Sequence, residues 1–207
     1  MRSIDSPRNA RSQRTRDALL AATREILEHD GFAALSMAAV AERAGVTRRA
    51  VYLHFTSRSD LVSALFPYIA QQEGLAESTN RVWAAADSVE ALREWVRHLA
   101  RYHPKLMAVD RAIEQVRADD ADARRHRDTV NEAQLGNCRR LAEWLHRENR
   151  LAHPWTVEEA ADVLFGLICT ELFGRWLETR EWSTGDLDRN LWAICRAVLV
   201  RDQDGGV

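Results

Sequence analysis

No stretch of the 207 residues approaches the roughly 18 consecutive apolar residues that a membrane-spanning helix needs, so no membrane partner is expected. The opening seventeen residues are polar and Arg-rich, without the apolar core of a secretory leader. Cysteine is scarce: Cys138, Cys169 and Cys195 are odd in number and far apart. That argues against a disulfide framework and for a reducing compartment, the cytoplasm. Only nine glycines and four prolines interrupt the chain. With so few places to turn, long helices are expected. Sustained period-two alternation is missing too, which leaves no half-buried strand to predict.

What is present fits a folded, water-soluble chain. Hydrophobic residues make up 46% and charged residues 29%, ordinary values that argue against global disorder. The length allows one large domain, or a small one joined to a larger one. Net charge is -2, but it is unevenly spread. Residues 1–60 hold ten Arg against seven acids, whereas residues 61–207 hold 19 basic and 24 acidic residues. A basic start on a mildly acidic body points to an anionic partner at the N-terminus or, equally, to a solvated tail.

Apolar periodicity and capping residues place the helices. The first is expected from Ser12 to His29, closed by Gly31. Ser36 is an N-cap for a short helix, Met37 to Ala44, that ends at Gly45. Thr47 caps the next, to about His54. Ser57 with Asp60 reads as a capping box for a fourth helix, which runs toward Trp83 and is expected to kink at Pro67. A fifth is expected from Ser88 to His103, a sixth from Lys105 to Arg117, and a seventh from the charge-dense stretch after it to about Asn149. A long apolar helix, Val157 to Thr179, and a final one, Asp186 to Arg201, complete an all-α chain.

The window MAAVAERAGVTRRAVYL, Met37–Leu53, is the most informative. Ala41 is small where two helices must cross, and Gly45 stands where the turn needs a positive φ. Val40, Ala44, Val46 and Val51 carry the apolar spacing that packs two short helices together. The pattern is that of a helix-turn-helix, whose second helix enters the major groove of DNA. A plain helical corner is the alternative.

The run GVTRRAVYLHFTSRSDL, Gly45–Leu61, resembles the signature of the TetR/AcrR family of transcriptional regulators, and the similarity spans about residues 14–65. More loosely, AADVLFGLICTELFGRWLETREWS resembles the penultimate helix and following turn of one branch of that family. The resemblance implies an all-α protein of about nine helices, with an N-terminal three-helix helix-turn-helix domain and a larger helical ligand-binding and dimerisation domain. It also implies a homodimeric repressor released from a palindromic operator by a small, hydrophobic or aromatic effector. The expected boundaries are 1–56 for the DNA-binding domain (with 1–11 a flexible basic arm), 57–201 for the effector and dimer domain, and 202–207 for a disordered tail. An activator, a ligand-independent repressor or a protein-binding helical module are the alternatives.

Residue by residue, Thr47 would start the recognition helix and Arg48 and Arg49 would occupy its first turn, the part that reaches base edges. Arg can form a bidentate pair with guanine; contact with phosphate alone is the alternative for each. Tyr52 and His54 match the family's Tyr-x-His, which commonly lies along the DNA backbone; a structural helix cap is the alternative for His54. Ser36 and Arg58 are placed for phosphate, though an N-cap role alone would account for Ser36, and Arg11 and Arg14 are placed for an adjacent minor groove or, equally, a plain solvated arm. Ligand candidates are Trp95, His98 and Tyr102 on the fifth helix, Trp144 on the seventh, and Phe165 and Ile168 on the eighth. An aromatic core is the alternative role for each. Gly166, Thr170 and Gly174 form a small i, i+4 row that, with Leu191, Ile194 and Val198, suits a dimer bundle or, alternatively, an intramolecular core. His98 and His103 are five apart and share no helical face, and neither Cys-x-x-Cys, nor a Gly-rich phosphate loop, nor Gly-x-Ser-x-Gly occurs. Catalysis, metal and cofactor are therefore not expected.

Overall fold

A computed structural model describes residues 7–201. The expected disordered tail, 202–207, and the first six residues of the expected arm lie outside the described residues. The all-α expectation holds: α-helices account for the named elements, and among the described residues the only strand-like feature is an isolated bridge between Leu151 and Val200. The helices are α1 (Pro7–His29), α2 (Met37–Arg43), α3 (Arg48–Tyr52), α4 (Arg58–Gln72), α5 (Leu75–Trp83), α6 (Ser88–Glu114), α7 (Ala121–Arg147), α8 (Val157–Leu167), α9 (Thr170–Gly174) and α10 (Thr184–Leu199). A 3-10 turn, Phe32–Ala34, follows α1, and a π-helical turn, Arg175–Thr179, extends α9.

The described residues form two compact units, one of residues 7–72 and 108–128, the other of residues 73–107 and 129–201. The core of the first is Leu19, Ile26 and Leu27 of α1, Val40 of α2, Val51 of α3, and Leu61, Leu65 and Ile69 of α4. Val109, Ile113 and Ala123, at the end of α6 and the start of α7, are buried in the same unit. Its buried ion pair, Arg127 to Asp110 at 3.3 Å, also uses the Asp110 carbonyl, which accepts from Arg127 at 3.2 Å. The second unit has a larger aromatic and aliphatic core, with Trp95, Leu99, Leu141, Leu145, Leu164, Ile168 and Phe173 closed over by Leu187, Leu191, Cys195 and Leu199 of α10. Those last four recur at every fourth residue, so one stripe of α10 faces inward.

Several helices depart from expectation for identifiable reasons. Residues 7–11, expected in a flexible arm, belong to α1, which begins five residues before Ser12. The fourth helix stops at Gln72 rather than Trp83, because Gly74 takes φ +67 and starts α5 afresh. Pro67 lies inside α4 and Pro104 inside α6, so the fifth and sixth expected helices are one. A helix-interior proline costs about 3 kcal/mol. Here it is flanked by buried anchors, Leu65 and Ile69 around Pro67, and Ala100, Leu106 and Met107 around Pro104, and burying the larger of these apolar side chains offsets that cost at roughly 1.5–3 kcal/mol each. Asp87 caps α6: its Oδ1 accepts from Val89 and Glu90 N–H at 2.9 and 2.8 Å. The long helix expected from Val157 to Thr179 is interrupted at Ile168 and Cys169, where α8 ends and α9 begins.

Candidate functional site

The helix-turn-helix is assembled by its caps. Ser36 Oγ accepts from Ala39 N–H at 3.1 Å and starts α2, while Thr47 Oγ1 accepts from Ala50 N–H at 3.2 Å and starts α3. Between them Gly45 adopts φ +66. The turn is closed by Val46 N–H donating to the Ala41 carbonyl at 2.9 Å. A side chain at Gly45 would meet open space, so the requirement there is the left-handed backbone rather than room. Val40, Ala41 and Val51 are fully or almost fully buried between the helices.

With Val51 turned inward, the opposite face of α3 is free. Thr47, Arg48 and Arg49 are exposed, Tyr52 is 50% exposed and Leu53 77%. Leu53 was not singled out from the sequence, although its offset was available: Val51 and Phe55 are four apart and both buried, which sends Leu53 to the other side. His54 is half-buried against Phe55, ring centroids 6.4 Å apart. Arg16 of α1 lies 4.5 Å over the Phe55 ring, a second contact that sequence alone did not suggest. Arg11 and Arg14 are exposed on α1.

The other arginines near this face have partners of their own. Arg43 reaches Asp30 at 2.7 Å and Glu25 at 3.7 Å. Arg58, placed for phosphate by sequence, is half-buried, bonds the Asp120 carboxylate and lies 4.8 Å over the Phe32 ring. At the start of α4, Ser57 Oγ accepts from Asp60 N–H at 3.1 Å, as a capping box requires, but the Asp60 carboxylate returns to Thr56 N–H at 2.9 Å rather than to Ser57. The Thr56 hydrogen bonds hold the Asp60 carboxyl below its ordinary value.

In the other unit the six ligand candidates separate. His98 and Tyr102 line a cleft of about 280 Å³ between α5 and α6, with Glu77, Ser78, Arg81 and Arg101. Trp95 and Ile168 are buried in the core, and Trp144 and Phe165 pack at its edge. Trp144 donates its indole N–H to Glu148 at 2.6 Å. Of the dimer candidates, Gly166 is exposed and Thr170, Gly174, Ile194 and Val198 are half-buried, whereas Leu191 is fully buried among Leu187, Cys195 and Leu199. Leu191 therefore belongs to the protomer's own core, because it sits in the inward stripe of α10. Burial pushes the Cys138 and Cys195 thiols up to about 12, which leaves them unreactive. Among the described residues no group of three His, Cys, Asp or Glu is placed to hold a metal ion, and no helix is long and apolar enough to cross a membrane.

Residues 19–65, which include this helix-turn-helix, match the family model of the bacterial regulatory proteins, tetR family. Over those residues the chain is similar to that family. It is similar to the HTH-type transcriptional regulator AcrR of Shigella flexneri, 31% identical over 88 residues. That match covers 42% of this chain and 41% of the relative, so it spans less than half the length of the AcrR protein. The whole fold is shared with solved structures. NalD of Pseudomonas aeruginosa, the secondary repressor of the MexAB-OprM multidrug efflux pump, superimposes with a TM-score of 0.72 over 94% of this chain and 100% of that one, at 24% identity. SmeT in complex with triclosan gives a TM-score of 0.72 over 92% of this chain and 94% of that one, at 18% identity. At such identities the likeness is one of fold.

Proposed function

We propose that this chain is a cytoplasmic transcriptional repressor of the TetR family that binds a palindromic operator as a homodimer and is released by a small effector. The observation that carries the reading is the outward face of α3. A helix of five residues is capped, turned by Gly45 and anchored through Val51, and what it offers to solvent is Arg48, Arg49 and Tyr52. Arg48 and Arg49 read base edges, and Tyr52, Ser36 and Thr47 meet phosphates, which fix register without carrying sequence information. The DNA-reading face lies before residue 57, within a compact unit that α4 and residues 108–128 complete, and the effector and the dimer are assigned to the rest of residues 57–201. Two such heads related by a two-fold axis read half-sites about 34–36 Å apart, or a multiple of that.

The dimer is placed on the outward side of α8 to α10, through Gly166, Thr170, Gly174, Ile194 and Val198, and the effector in the second unit. The neighbouring fold solved with triclosan, an apolar aromatic compound, supports an aromatic effector. Selection of bound duplexes from a random pool tests the reading. A recovered palindrome whose binding falls steeply with salt through counterion release is expected. Recovery of no sequence, with a salt-insensitive monomer, would overturn it.

A further inference from the structure

The cleft between α5 and α6 carries chemistry of its own. His98 is only 5% exposed, yet its Nδ1 is buried without a hydrogen-bond partner. Such an atom costs about 1–3 kcal/mol when left unsatisfied, a cost that an incoming polar group able to reach it would remove. The ring is held in one orientation by stacking, with Trp95 on one side at 5.3 Å and Tyr102 on the other at 5.6 Å, between ring centroids. Burial, with the Arg101 charge adding to it, lowers the His98 pKa to about 4. Near neutral pH the imidazole is therefore uncharged, with one donor and one acceptor nitrogen.

The cations around it are unevenly neutralised. Lys105 is bonded to the Glu73 carboxylate. Arg101, by contrast, donates to Ser78 Oγ at 2.8 Å, a neutral partner that leaves its charge uncompensated. Arg81 also lines the cleft, and Glu77 is the remaining carboxylate there. Three cations against two carboxylates leave one positive charge in excess, next to an aromatic wall and an unsatisfied imidazole nitrogen.

We propose that this cleft binds a small aromatic carboxylate, its carboxylate on Arg101, its ring along the Tyr102–His98 stack and a polar substituent on His98 Nδ1. The proposal rests on the effector reading above and gives that effector a charge. A cleft of about 280 Å³ lies at the small end of ligand pockets, roughly 300–1,000 Å³, which selects single-ring compounds. An Arg–carboxylate pair is directional and often bidentate, so an isosteric amide cannot replace it.

The test is calorimetric titration of the full chain, without DNA, with meta-hydroxybenzoate, meta-hydroxybenzamide and meta-hydroxyphenyl-trimethylammonium. The acid is expected to bind, and the amide about tenfold more weakly. Arg101→Gln should bring the acid to the level of the amide and leave the amide unchanged. His98→Phe, which keeps the stack, should weaken acid and amide alike. Arg101 is exposed, so its variant is expected to fold, and an unchanged melting temperature checks this. Equal affinity for acid and amide, preference for the cation, unaltered acid binding by Arg101→Gln, or no binding at all would each overturn the proposal. Because no operator is present, a protein that binds the acid but no DNA would sink the regulator reading alone.

Discussion

Arg58, the first residue of α4, bonds the carboxylate of Asp120, 62 residues away in the turn between α6 and α7. The same guanidinium lies over Phe32 in the turn that follows α1, and Asp122 stands 4.0 Å from its Nε. One side chain thus ties the helix-turn-helix entry to the α6–α7 turn within a single compact unit. Asp120 is itself fixed, its Oδ1 accepting from Asp122 and Ala123 N–H at 3.0 Å each. Hydrogen bonding from Ala123 and the Arg58 charge outweigh burial and keep this carboxyl below its ordinary value.

Arg58→Ala should therefore act through positioning. A half-buried, charge-assisted pair of this kind is worth about 1–2 kcal/mol, and its loss should appear as a lower urea midpoint. Operator affinity should fall without a change in the slope of log affinity against log salt. Asp120→Asn should reproduce both effects. A phosphate contact behaves differently, since removing one reduces the salt slope by about one unit. That reduction in Arg58→Ala but not in Asp120→Asn would return Arg58 to the DNA backbone.

Arg48→Ala and Arg49→Ala should flatten base preference at one or two positions per half-site, by about 1–3 kcal/mol for a lost bidentate contact. Tyr52→Phe should weaken specific and non-specific binding evenly. Affinities over a panel of single-base operator variants separate these outcomes. An unchanged ranking in both Arg variants would remove base reading from the first turn of α3.

Much of the first unit was legible because it is written in local rules. Ser36, Gly45 and Thr47 act within three or four residues of themselves, and Val40 and Val51 follow from helical spacing. The partners of Arg58 could not be read because they are remote: nothing near residue 58 signals a carboxylate at 120. Tertiary burial also overrode local signals at Pro104, where buried side chains on both flanks hold α6 together. In the second unit an apolar helix face looks the same whether it lines a core, a cleft or a dimer. Leu191 and Ile168 were separated from Ile194 and His98 only by which stripe of each helix the neighbouring helices cover.

Gly166→Leu should dissociate the dimer while the protomer stays folded. An added Cβ at Gly166 meets nothing within 4 Å of the protomer, so the new side chain disturbs only what docks from outside. Overpacking costs about 1–3 kcal/mol and is felt twice in a symmetric interface. Sedimentation should show monomers with an unaltered circular dichroism spectrum. A tight, folded dimer would place the interface away from α8.

Acid should weaken the fold in two separate steps, and histidines should set the first. His98 and His126 both have pKa values lowered from 6.5 to about 4, chiefly by burial. His126 packs against Phe66, ring centroids 4.4 Å apart, with its Nε2 buried and unsatisfied. In the unfolded chain these rings take up a proton near pH 6.5, whereas in the folded chain they resist it until about pH 4. Stability is then complete above pH 6.5 and declines as pH falls toward 4, by at most about 3 kcal/mol for each group and about 2 kcal/mol for each by pH 5. Below pH 4 these histidines add nothing further. There the cap carboxylates Glu159 and Asp186, held below their ordinary values by Thr156 and by Ser183, begin to be lost instead. Urea midpoints between about pH 7 and pH 5 check the first step, and His126→Phe, which preserves the contact with Phe66, should remove about half of its slope. A midpoint that is flat over that range in the unmodified protein, or a slope untouched in His126→Phe, would show that these two rings do not govern the acid response.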